Sequence, residues 1–251
     1  MADVTKIKAL VDEKAEKFVG VADQVWSTPE LGFKEEKSAA ALIAALESEG
    51  FAVTTGLAGI PTAFVGVWGE GHPAIALLGE FDALPSLSQE AGNAEHTPLC
   101  EGGNGHGCGH NLLGAGALAA AVAVKDYMQA NGIKGSVHYF GCPGEEFGCG
   151  KMFMARAGAF DGIDAAFTWH PGNTNSVMGV SSLANNSIYY KFKGRTSHAA
   201  ASPHLGRSAL DACELMSVGC NYLREHIIPE ARLHYAYRDV GGSAPNVVQD
   251  H

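Results

Sequence analysis

From Val4 to Trp26 the apolar positions recur at helical spacing, with Ile7, Leu10, Val11, Phe18, Val21 and Val25 in register. Thr28-Pro29-Glu30 ends that pattern, and Glu35 to Glu49 predicts a second helix closed by Gly50. Two short apolar runs, Ala63 to Trp68 and Ala74 to Gly79, predict strands, the second leading into Glu80-Phe81-Asp82. A loop rich in Gly, Asn and His follows, and then a helix over about Asn111 to Ala130. Ser136 to Gly141 predicts a strand, Lys151 to Ala157 a helix and Ala165 to Trp169 another strand. This alternation predicts an α/β domain with a largely parallel sheet. After Leu183 the pattern changes. Ile188 to Phe192 and Arg232 to Arg238 alternate as strands do, and Ser208 to His226 is amphipathic with helical period. A smaller α+β unit is therefore expected over 185–251, after a first domain over 1–184. Ala244 to Val248 reads as the start of a further strand, so this second unit reads as unfinished.

Composition removes some function classes. The net charge is −10 and no basic stripe is present, which argues against a general nucleic-acid role. Six cysteines (Cys100, Cys108, Cys142, Cys149, Cys213 and Cys220) form no C-x-x-C pair. A chain this long needs no disulfide framework, so reduced thiols in a cytoplasmic protein are expected. Met1 to Lys17 is charged throughout and lacks an apolar signal core. The most apolar run, Leu112 to Val124, is shorter than the ~20 residues of a membrane span and reads as a buried helix.

The candidate chemistry shares one context. Asp82, Glu145-Glu146 and His170 each follow an apolar strand, and Cys108-Gly109-His110 opens a helix in the same pattern. Ligands of open α/β sheets bind at the carboxyl ends of the strands, so these groups are expected to meet in one crevice. Cys108 and His110, two apart in an extended turn, suit one or two divalent metals; taken alone they fit a small buried cysteine before a helix equally well. Adjacent carboxylates at Glu145-Glu146 point apart, so one can ligate while the other moves protons. A lone Glu-Glu pair is more often a solvated loop, but here it follows an apolar strand and a tight turn. His170 alone reads as a core histidine, and within the set as a ligand. Asp82 reads as a carboxylate that orients a ligand imidazole, or as a turn cap. In the smaller unit, His198 can donate to a developing oxyanion, and His204 and Arg207 can hold a carboxylate. A solvated loop is the plainer reading of that stretch.

The strings Gly59-Ile60-Pro61-Thr62-Ala63-Phe64, Gly79-Glu80-Phe81-Asp82-Ala83-Leu84-Pro85, Gly107-Cys108-Gly109-His110-Asn111, Gly144-Glu145-Glu146, Trp169-His170-Pro171 and Ser197-His198-Ala199-Ala200 follow in this order. Together they resemble the M20 metallopeptidase family, above all its aminobenzoyl-glutamate hydrolase branch, with the auxin-conjugate amidohydrolases further off. The resemblance implies a zinc-exopeptidase-like catalytic domain with a lid domain for dimerisation, as a homodimer or a heterodimer with a related chain. It implies two divalent ions, manganese or zinc, held by Cys108, His110, Glu146 and His170, with Cys108 bridging. Glu145 is then the general base and acid, Asp82 supports the ligands, and His198 reaches the partner's active site. Asn246, in Pro245-Asn246-Val247-Val248, matches a lid position associated with substrate contact. The expected reaction is hydrolysis of the amide bond of a small N-acyl amino acid, aminobenzoyl-glutamate foremost.

Two departures stand against that pattern. Family members are longer and supply a last metal-binding histidine from a segment this sequence does not contain; His251 lies in the lid region and is not that ligand. Phe147 also follows the glutamate pair where glycine is common. The alternatives are therefore an incomplete or non-catalytic dimerisation or metal-binding module, and an aminoacylase or dipeptidase of the same family.

Overall fold

The computed structural model describes residues 4–179 and 181–251. The first three residues of the charged N-terminal stretch lie outside them. The chain forms two compact units, residues 1–175 and 176–251.

In the first unit the N-terminal periodic stretch is two helices, α1 (Val4–Glu13) and α2 (Ala15–Trp26). The join is Lys14, whose ammonium bridges Glu49 at 2.6 Å and Asp126 at 2.7 Å. Helix α3 (Glu36–Ser48) follows the Pro29–Glu35 loop. Strands β1 (Ala52–Thr55), β2 (Phe64–Glu70) and β3 (Ala74–Glu80) precede the long helix α4 (His110–Asn131). Then come β4 (Gly135–Cys142), the short α5 (Glu145–Gly148), α6 (Gly150–Arg156) and β5 (Ala165–Phe167). Strand β1 was not legible as a strand, because Ala-Val-Thr-Thr is short and mostly exposed at the sheet edge.

The sheet is mixed, in the order β1-β2-β4-β3-β5. Strand β3 pairs in parallel with β4 and β5, while β4–β2 and β2–β1 are antiparallel. Side chains alternate across it. Val137 and Tyr139 join Phe18, Val25, Leu42, Leu46, Phe64, Phe81 and Leu118 on the face covered by α2, α3 and α4. Phe140 and Cys142 join Ala76 and Met154 on the other face. Both faces of β4 are thus buried, which is why it reads as a continuous apolar run. Burial of this apolar area is the main force holding the layers together.

The parallel register places the chemistry. Glu80 pairs with Cys142, so β3 and β4 end level, and Leu77 pairs with Phe167 on β5. The residues just past these ends are Phe81-Asp82, Pro143 to Glu146 and Thr168 to His170.

In the second unit the helix is α7 (Ala209–Leu223), capped by Ser208, whose hydroxyl accepts from the Asp211 amide at 2.9 Å. The stretches Ile188 to Phe192 and Arg232 to Arg238 form no ladder among the described residues. The Ala244 to Val248 stretch contributes a single bridge, His198 to Val247, beside one from Arg195 to Arg207. Alternation specifies which side chains share a face. A strand exists only where a second backbone takes up its N–H and C=O groups.

Candidate metal centre

Asp82 is the hub of the site. It is almost wholly buried; Oδ1 accepts from Nδ1 of His110 at 2.9 Å, and Oδ2 accepts from the Glu146 amide at 2.9 Å. One carboxylate thus ties the turn after β3 to the first residue of α4 and to α5. With Nδ1 of His110 donating, its Nε2 presents a lone pair. That atom is buried and, among the described residues, has no hydrogen-bond partner; Glu80 Oε2 is 3.1 Å away and Glu145 Oε2 4.0 Å, neither in bonding geometry.

His170 is arranged the same way. Its Nδ1 lies 2.9 Å from the Pro171 carbonyl, and its Nε2 lies 3.2 Å from the Cys108 sulfur. The rings of His110 and His170 stand edge to face at 5.7 Å. Ligand atoms of Cys108, His110 and His170 all lie within 4.8 Å of one another, and so do those of Glu80, His110 and Glu145. Glu146 belongs to neither group, but among the described residues its Oε1 is buried without a partner.

Gly109 makes the closeness of these loops possible. Its φ of +80° turns the chain from Cys108 into α4, and a Cβ there would stand 3.0 Å from the Pro171 ring. Helix α4 lies tight on the sheet for a similar reason, since a Cβ at Gly114 would meet the Glu80 carbonyl at 2.7 Å.

The electrostatics of the cluster are acidic. Burial pushes the Cys108 thiol up to about 12, helped by its bond to Glu146 and by the charges of Glu146, Glu145 and Glu80. Burial, then Glu80 and Glu146, also raise Glu145. Burial disfavours charge on His110, but the Asp82 bond and the Asp82, Glu80 and Glu146 charges outweigh it and raise its pKa. Lys151, bonded to Glu80, is the lysine among these carboxylates. An orphaned imidazole nitrogen, an orphaned carboxylate oxygen and a thiol among acids form a donor set that fits a divalent metal.

Glu80 and Lys151 were not singled out from the sequence. The signal was present for Glu80, which is two residues before Asp82 on a strand. Lys151 carried none, because its partner is distant in sequence.

The second unit holds the other expected residues. His198 is exposed, and its Nδ1 accepts from the amides of Ala200 at 3.2 Å and Ala201 at 3.1 Å. The neutral ring therefore carries its proton on Nε2. The Asn246 carbonyl accepts from the Ala199 amide at 3.0 Å, and Arg207 Nη1 donates to the Gly206 carbonyl at 2.7 Å. The loops of His198, Asn246 and Arg207 are thus neighbours within that unit.

The sequence profile of peptidase family M20/M25/M40 matches residues 76–251. The chain belongs to this family. As an M20 chain it is 53% identical over 239 residues to a p-aminobenzoyl-glutamate hydrolase subunit of Escherichia coli K12, covering 95% of this chain and 50% of the relative. It shares its fold with the aminobenzoyl-glutamate utilization protein of Klebsiella pneumoniae, at a TM-score of 0.56 and 18% identity over 97% of this chain and 66% of that one. It is also similar in fold to a dinuclear metal-binding M20 peptidase of Bacillus subtilis, at a TM-score of 0.50 and 24% identity over 66% and 44% of the two chains. The chain spans about half the length of the curated relatives it matches. Among the described residues, no helix of this M20 chain is long and apolar enough to cross a membrane.

Proposed function

We propose that this chain carries the metal centre of an amidohydrolase that cleaves N-acyl amino acids, p-aminobenzoyl-glutamate foremost, with two divalent ions of manganese or zinc. One observation carries the reading. His110 and His170 both commit Nδ1 to an oxygen acceptor and turn Nε2 toward the Cys108 sulfur, with all three ligand atoms within 4.8 Å of one another. The similarity to a p-aminobenzoyl-glutamate hydrolase of E. coli supports the substrate, and the dinuclear peptidase of Bacillus subtilis supports the paired metals.

In this reading Cys108, His110, Glu146 and His170 hold the ions. Bound metal lowers the pKa of a water and polarises the amide carbonyl. Glu145, beside His110 but bonded to none of the candidate ligands, would take the proton from the attacking water and return it to the leaving amine nitrogen. Asp82 fixes the His110 tautomer and, through the Glu146 amide, the start of α5. Residues 1–184 form the metal-binding part and 185–251 belong to the lid. There His198 supplies its Nε2 proton to the developing oxyanion, and Arg207 and Asn246 contact the substrate. The E. coli relative is one subunit of its hydrolase, which favours assembly with a second chain, identical or related. Six free cysteines suit a reducing compartment, and we place the protein in the cytoplasm.

The test is hydrolysis of p-aminobenzoyl-glutamate by the full-length protein, alone and with a related partner chain, before and after chelation. Activity should vanish with the metal and return on adding manganese or zinc. Glu145→Gln should lower kcat by roughly 10²–10⁴-fold while metal content is retained. A fully active Glu145→Gln enzyme would refute the assignment of the base.

A further inference from the structure

Glu35 is wholly buried, yet it belongs to neither group of candidate ligands. Its Oε1 accepts from the Gly144 amide at 2.8 Å, and its Oε2 accepts from the Thr62 hydroxyl at 3.1 Å. Burying a carboxylate is costly unless donors meet it, and here they come from two distant segments. Gly144 directly precedes Glu145. It stands at the start of α5 with φ +65°, and no side chain of that turn caps the helix.

The residues around Glu35 hold the same turn. The Phe33 ring lies on it, since a Cβ at Gly144 would stand 2.7 Å from the ring and one at Gly148 2.9 Å. Phe33 keeps φ +66° to do so, a region costly for a residue with a side chain. A Cβ at Gly32 would stand 2.9 Å from the Gly144 Cα. The preceding residues reach the other site loops. The Glu30 carbonyl accepts from the Ala83 amide at 2.8 Å, next to Asp82. The Pro29 carbonyl accepts from Asn104 Nδ2 at 3.1 Å, in the loop leading to Cys108.

We infer that Pro29–Glu35 is a bracket that sets three of the site loops against one another, and that Glu35 is the positioning residue that aims Glu145 through the Gly144 amide. The inference rests on Glu145 being the base. Its chemical logic is that the first amides of the Glu145 turn have no acceptor within their own helix, and Glu35 takes up that of Gly144 as Asp82 takes up that of Glu146. A misplacement of about 1 Å at a reacting group costs on the order of 10²-fold in rate, so the bracket acts on kcat.

The experiment uses the full-length, metal-loaded protein and four variants. Glu35→Leu removes the acceptor and should lower kcat by about 10–10²-fold with KM little changed. Glu35→Gln keeps an oxygen for Gly144 and should restore kcat close to wild type. Phe33→Gly keeps the backbone conformation, removes the ring, and should reproduce the selective loss of kcat if Glu35→Leu does not fold. Thr62→Val leaves the Gly144 bond intact and should leave kcat near wild type. Hydrogen exchange of the metal-free protein gives a second readout: the Gly144 amide should exchange faster in Glu35→Leu and stay protected in Glu35→Gln. Wild-type kcat in both Glu35→Leu and Phe33→Gly, or equal damage in Glu35→Gln and Glu35→Leu, overturns the inference. Glu145→Gln run in parallel separates the two failures. An active Glu145→Gln enzyme sinks the underlying reading, whereas an inactive one beside fully active Glu35→Leu and Phe33→Gly enzymes sinks the bracket alone.

Discussion

Replacing Asp82 by Asn keeps the shape of the side chain and changes one oxygen to an NH₂ group. Both carboxylate oxygens are in use, one by His110 Nδ1 and one by the Glu146 amide. The amide group must therefore face one of two N–H donors. If it faces Glu146, two buried donors oppose each other. If it faces His110, the ring must accept at Nδ1, which moves its proton to Nε2 and removes the lone pair aimed at the Cys108 and His170 group. Either way one charge-assisted bond is lost, worth about 1.5–3 kcal/mol. Removing such an orienting partner costs about 10–100-fold in metal affinity, or roughly 1.4–2.7 kcal/mol, which agrees with the bond count. The assay is competition between the protein and a chelator for manganese or zinc, with nitrogen NMR of His110 to report the tautomer. Asp82→Asn should weaken binding by that factor. A variant that binds metal as tightly as wild type, with the His110 proton still on Nδ1, would refute the role assigned to Asp82.

Three further outcomes are expected. Gly109→Ala must force a side chain into φ +80° and against Pro171; it should cost about 1–2 kcal/mol in urea unfolding and weaken the thiolate-to-cadmium absorption band of Cys108 on titration. Leu118→Ala, at a wholly buried core position, should cost about 2–5 kcal/mol while leaving that band unchanged. Glu49 and Asp126 are held below the usual carboxylate range: burial opposes this, and their bonds to Lys14, Lys17 and Lys125 prevail. Their contribution is therefore present above the ordinary carboxylate values of 4.5 and 3.8 and is lost as pH falls through the lowered folded values. Lys14→Met should flatten the acid limb of stability measured by urea unfolding across that range, and an unchanged limb would remove the network from the account.

Much of this protein was legible along the chain. The helices α2, α3 and α4 and the strands β2, β3 and β4 follow from the spacing of apolar residues, because each turns one face or both faces to a core. The positions of Asp82, Cys108, His110, Glu145, Glu146 and His170 at strand ends and a helix start were also readable, and parallel pairing brings such ends to one edge. What the sequence could not state was which atoms are spoken for. That Asp82 serves His110 and Glu146 together, that Nε2 of His110 is left bare, and that Glu35 reaches Gly144 are contacts between residues 28 to 109 positions apart. No periodicity encodes such contacts, because they arise only when sheet register and helix packing bring the segments within bonding distance. Local spacing determined the elements and the chemistry at their ends; tertiary packing alone decided the hydrogen-bond partners, and with them the direction in which each candidate ligand points.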